Sequence, residues 1–159
     1  MNQRAKDLAQ RLKSFNDQVV DFVENCGDED WHKVCTWEEW TVGVTARHIG
    51  SGHFRVIGLA KMFINGEKLP ELTGEQVNEL GNKHARKHAD CTREEALEVL
   101  QKNGTGLVDF VTGLEDTELD SKGHLGLAGG DITTQQFLEY VILQSGGEHL
   151  ANMKAATKL

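Results

Sequence analysis

RAKDLAQRLKSFNDQVVDFV, residues 4–23, decides the fold class. Ala5, Leu8, Leu12, Phe15, Val19 and Phe22 recur at alternating steps of three and four, while Arg4, Lys6, Arg11, Lys13 and Asp17 fall elsewhere on the wheel. That spacing predicts an amphipathic helix with the seam of a bundle, since only a 3.6-residue period lines those six side chains along one stripe. Its end is expected near Cys26 and Gly27, with glycine as a left-handed cap. A connection follows that holds Trp31, Trp37 and Trp40, whose rings are expected to close one end of the core.

Reading outward, Thr41 is a good N-cap for a second helix running through VGVTARHIGSGHFRVIGLAKMFINGE to a stop at Asn65 and Gly66. Gly50, Gly52 and Gly58 each cost that helix about 1 kcal/mol against alanine, so they are read as permitting close packing or leaving room beside a pocket. Thr73 with Gln76, Thr92 with Glu95 and Thr133 with Gln136 carry the spacing of capping boxes and mark three more helix starts. The third helical region breaks near Ala89–Cys91 and resumes along Leu97, Leu100, Gly104, Leu107, Val111 and Leu114; the last helix is expected from about Thr133 to Ala156. Between them SKGHLGLAGGD (121–131) lacks the lysine and spacing of a phosphate loop and reads as a flexible connection. The expectation is one all-α domain over 1–159, an up-down four-helix bundle with an extra short helix between helices 2 and 3.

Composition narrows the function classes. A chain of 159 residues can bury a core without disulfides, and its single proline, Pro70, interrupts no long helix. The net charge of -8, with no cluster of Lys and Arg, argues against nucleic acid as a partner, because displacing counterions from a polyanion needs such a cluster. No stretch approaches the roughly 18 apolar residues of a membrane span, and MNQRAKDLAQRLK lacks a signal peptide's apolar centre, so a cytoplasmic location and no membrane partner are expected. Cys26, Cys35 and Cys91 are an odd number, read as free thiols of structural or incidental use, with redox or nucleophilic roles as the alternative.

Seven histidines are the chemical resource of the chain. His48 lies in the second helix and His149 in the last, and imidazoles from two helices can meet in a bundle core and hold a metal. Two hydrogen-bonded, half-buried histidines are the alternative. In HARKHADC, His84, His88 and Cys91 stand at i, i+4 and i+7, a zinc-compatible face if the helix reaches Cys91; the cap at Thr92 and the flanking Lys83, Arg86 and Lys87 favour a solvated face instead. Arg55, seven residues after His48, is a candidate for an anionic substrate group, with a surface ion pair as its alternative.

WTVGVTARHIGSGH (40–53), TREEALEVLQKNGTGLVDFVTGLEDTELD (92–120) and ITTQQFLEYVILQSGGEHLANMKAA (132–156) resemble core helices of the DinB/YfiT-like superfamily. The resemblance places His48 and His149 as ligands of a divalent metal, zinc or nickel. It also implies a thiol-dependent transferase or isomerase, a low-molecular-weight thiol with a small electrophile as substrates, and a homodimer. One position departs from the pattern: four residues before His149, where the family has another histidine or an acid, stands Ser145. A neutral hydroxyl is a poor ligand beside imidazole, so the triad is degenerate and Ser145 is read as a contact to water or substrate. Neither Glu148, about 100° around the helix from His149, nor His53, about 140° from His48, replaces it. The competing reading is a non-catalytic bundle that binds a small ligand or serves in stress without metal.

Overall fold

The computed structural model describes residues 2–158. The stripe read from residues 4–23 forms α1 (Gln3–Glu24), capped by the Asn2 side chain, which accepts from the amides of Arg4 and Ala5. All six seam residues are buried. The helix ends at Asn25 in right-handed geometry, and Gly27 is extended (φ -76°) as the N-cap of the single turn α2 (Asp28–Trp31); the expected left-handed glycine cap is absent there. Trp31 is buried with its Nε1 donating to the Cys91 carbonyl at 3.0 Å, whereas Trp37 is 82% exposed, so the three tryptophans do not act together as a plug.

Residues 34–41 fold back on themselves: Val34 bridges Thr41, the Cys35 amide donates to Trp40 O at 2.8 Å, and the Glu39 amide donates to Cys35 O at 2.9 Å. The reversal requires a left-handed residue, and Glu39 takes φ 59°, at a cost of about 1 kcal/mol. Thr41 then caps α3 (Val42–Ile64), which stops at Asn65 with Gly66 at φ 70°. α4 (Gly74–Lys87) begins with the Thr73–Gln76 capping box and ends before Cys91. α5 (Arg93–Thr112) begins at Thr92, whose hydroxyl accepts from the Glu95 amide, but the Glu95 carboxylate pairs with Arg47 at 3.1 Å instead of closing a box.

After the short α6 (Asp116–Leu119), the stretch expected to be a flexible loop is an antiparallel hairpin of β1 (Lys122–Leu125) and β2 (Gly130–Thr133). Packing explains it: Gly123 lies so close to the Phe63 ring that a Cβ would sit 2.0 Å from it, which pins the hairpin to the end of α3. The last helix starts as α7 (Thr134–Leu138), widens into a π-helical stretch over Glu139–Ser145, and finishes as α8 (Gly146–Thr157).

α1 and α3 both pack along α5, and α8 closes against α3. The glycines of α3 divide the two readings offered for them. A Cβ at Gly50 would meet Val99 Cγ1 at 2.9 Å and the Leu100 backbone, so Gly50 serves helix contact; Gly52 and Gly58 have nothing within 4 Å and border a cavity. No helix among the described residues is long and apolar enough to cross a membrane.

Candidate functional site

α3, the hairpin, the segment before α4 and the last helix enclose a cavity of about 860 Å³. His48, Arg55, Ser145 and His149, the four residues singled out by sequence, all lie on its wall. Periodicity brings His48 there from α3. For the last helix, the π-helical stretch widens the turn between Tyr140 and Ser145, so that Tyr140, Val141, Ser145, Gly146 and His149 all line the cavity despite irregular spacing. Glu148 and Gln144 are exposed on other faces.

The rings of His48 and His149 are 5.2 Å apart, centre to centre, at an interplanar angle of 84°. Two imidazoles bound to one tetrahedral ion through bonds of about 2.0–2.1 Å have centres roughly 5 Å apart, so the spacing fits joint coordination. His149 is oriented from behind. Its Nδ1 donates to Glu38 Oε1 at 3.1 Å, and Asn152 Nδ2 donates to the same oxygen. Because the carboxylate only accepts, the proton of the neutral ring lies on Nδ1 and the lone pair on Nε2. A carboxylate behind a ligating histidine is the usual support of a metal site. The Glu38 side chain is 7% exposed and its Oε2 has no hydrogen-bond partner, so a buried carboxylate is held there by these two contacts.

His48 Nδ1 is likewise buried without a partner. Burial, then the neighbouring His149, Arg55 and His84, push its pKa down to about 3, which keeps the ring neutral and its lone pair available. The Trp40 ring stacks on His149 at 6.0 Å and meets His48 edge-on at 5.0 Å, fixing both, while its Nε1 donates to Asn82 Oδ1 at 2.9 Å. A third protein donor is missing: among the described residues no three His, Cys, Asp or Glu side chains are grouped to hold a metal ion. The donor set therefore fits a cation held by two imidazoles, with Ser145 as the neighbouring hydroxyl.

His84 was expected on a solvated face. It is half-buried, with its ring 5.5 Å from that of His48, and its Nε2 accepts from Arg47 at 2.9 Å. Burial, followed by His88 and Arg47, lowers its pKa to about 4. His88 lies 4.7 Å from it, but Cys91 is past the helix end, so the i, i+4, i+7 face is not assembled. The three cysteines are free and buried; burial raises all three thiols, Cys91 to about 11, which suits packing rather than nucleophilic chemistry. His53, also on the cavity wall, is 1% exposed and donates from Nε2 to Asn16 Oδ1 at 2.8 Å.

Glu38, Trp40 and Asn152 were not among the candidates, and His84 was weighed only together with His88 and Cys91. In WEEW (37–40) nothing distinguishes Glu38 from Glu39 until the left-handed turn aims one inward. Asn152 could have been found, since it follows His149 by three residues on the same helix face. Residues 8–153 match the family model of the DinB superfamily. No curated protein and no solved structure matches the chain.

Proposed function

We propose a metal-dependent reaction on a small molecule for this chain, which belongs to the DinB superfamily: His48 and His149 hold a divalent cation, zinc or nickel, at the polar end of the cavity. The reaction class is thiol transfer or isomerisation, with a low-molecular-weight thiol and a small electrophile as substrates. The observation that carries this reading is the pair of imidazoles from two helices, 5.2 Å apart, one of them backed by a buried carboxylate. A cation there would lower the pKa of a thiol or water in contact with it and supply a nucleophile near neutral pH. The chain's own residues do the rest. Glu38 fixes the tautomer of His149; burial keeps His48 unprotonated; Ser145 offers a hydroxyl to water or substrate; Arg55 faces an anionic substrate group; and the apolar wall excludes water.

The same reading takes α1, α3, α5 and the last helix as an up-down bundle and the protein as a cytoplasmic homodimer, for which light scattering gives the mass in solution. Titration of the metal-free protein with zinc or nickel by calorimetry should show binding at micromolar levels, lost in His48→Ala and His149→Ala. Metal-dependent conjugation of thiol to electrophile should vanish with it. Absence of binding at those concentrations, or binding untouched by His149→Ala, overturns the proposal.

Ser145 favours a second reading, a metal-free pocket that binds a small ligand. Ser145→His discriminates: a large gain in cation affinity from no measurable starting point, with the fold intact, supports a site that has lost its third ligand.

A further inference from the structure

Five of the six arginines are matched to carboxylates: Arg4 to Asp116 and Asp120, Arg11 to Glu139, Arg47 to Glu95, Arg86 to Glu79 and Arg93 to Asp28. Arg55 alone has neither an ion pair nor a hydrogen bond among the described residues. With 25 acidic side chains and a net charge of -8, the chain does not lack anions to give it. Arg55 stands on the cavity wall, about 10 Å of helix axis beyond His48. Arg55 is exposed overall, and what burial its guanidinium has pulls its pKa below the ordinary value. The one carboxylate on the wall, Glu71, is itself exposed and lies 3.8 Å from Lys68.

The rest of the lining is consistent with one ligand shape. Ile49, Val56, Phe137 and Ile142 form the interior wall. Leu72, Val77, Leu80 and Leu127 surround the opening and are 40%, 40%, 50% and 44% exposed, an apolar rim that leads inward. A cavity of this size falls within the roughly 300–1,000 Å³ of small-molecule sites.

We infer that the cavity binds an anionic amphiphile, a molecule with an extended apolar body and a single carboxylate head, the head resting on the Arg55 guanidinium and the body lying between α3 and the hairpin. A guanidinium takes a carboxylate through two parallel hydrogen bonds, stronger than neutral ones. The inference deepens the small-molecule reading of the cavity and names its substrate class; it does not depend on the cation.

Calorimetric titration with decanoate and with 1-decanol, with and without a chelator, tests it. The wild-type protein should bind decanoate at least about tenfold more tightly than the alcohol, the return expected of a charge-assisted pair. Octanoate should bind more weakly than decanoate by about fourfold for each methylene removed. Arg55→Met should bring decanoate down to the level of decanol, and Arg55→Lys should keep part of the preference. Equal affinity for the two ligands, no binding of either, or a preference that survives Arg55→Met overturns the inference. So does a preference lost in His149→Ala but kept in Arg55→Met, because the head would then lie on the imidazole pair. Protein that takes zinc but not decanoate sinks this inference alone, and protein that takes decanoate but not zinc sinks the metal reading alone.

Discussion

Glu38 contributes to the site without facing the cavity. It holds the His149 ring by Nδ1, so that Nε2 presents its lone pair. Glu38→Gln should weaken zinc or nickel binding by about 10–100-fold while leaving the helical circular dichroism unchanged, because the amide keeps the shape but loses the charged acceptor that holds the ring by Nδ1. His53 makes a different prediction. Burial holds its pKa at about 4, below the ordinary 6.5, so between those values an unfolded chain takes up a proton that the folded one refuses. Stability is therefore complete above about pH 6.5 and falls as the pH drops towards 4. His48 and His84, also held low, act in the same direction. His53→Gln keeps a donor for Asn16 and should flatten the loss by an amount on the order of 3 kcal/mol. Urea midpoints measured across that window read the slope, and a slope identical to the wild type would refute the assignment. At this scale the sequence was legible where a side chain's role follows from its helix face, as for His48 and Arg55. It was silent for Glu38, whose direction depends on one left-handed residue in an irregular turn.

Among the elements, α3 separates two uses of glycine that look alike in sequence. Gly50→Ala should cost about 1–3 kcal/mol, because the added methyl meets Val99 and the Leu100 backbone. Gly52→Ala should stabilise by up to about 1 kcal/mol, since its Cβ meets nothing and helix propensity improves. Chemical denaturation of the two variants reads the opposite signs, and equal effects would mean that the close approach to α5 does not govern Gly50. The long helices were legible because periodicity and caps agree: Thr41, Thr73, Thr92 and Thr133 all cap the helices they were read to start, with only the Thr92–Glu95 box left open. Two elements were not. The hairpin at 122–133 has short strands, and the contact that fixes it, Gly123 on Phe63, joins segments 60 residues apart. The widened turn at 139–145 leaves no mark on composition; it shows only as lining residues that fit no single helical period.

For the molecule as a whole, binding and folding are one equilibrium. A cation held only by the folded chain adds stability by mass action, about 2.7 kcal/mol at a hundredfold excess over its dissociation constant. Thermal unfolding should therefore move upward with added zinc or nickel and return with chelator, and His149→Ala should abolish the shift; a shift that persists in the variant would place the cation elsewhere. The hydrogen bond between Glu38 and His149 spans 111 positions of the chain. An N-terminal piece can wind α1, α3 and α5 and still own only half of the donor pair, with its buried acid facing no ring. Cation affinity thus reports completion: it distinguishes a chain whose last helix has docked from one that is merely helical, which circular dichroism does not.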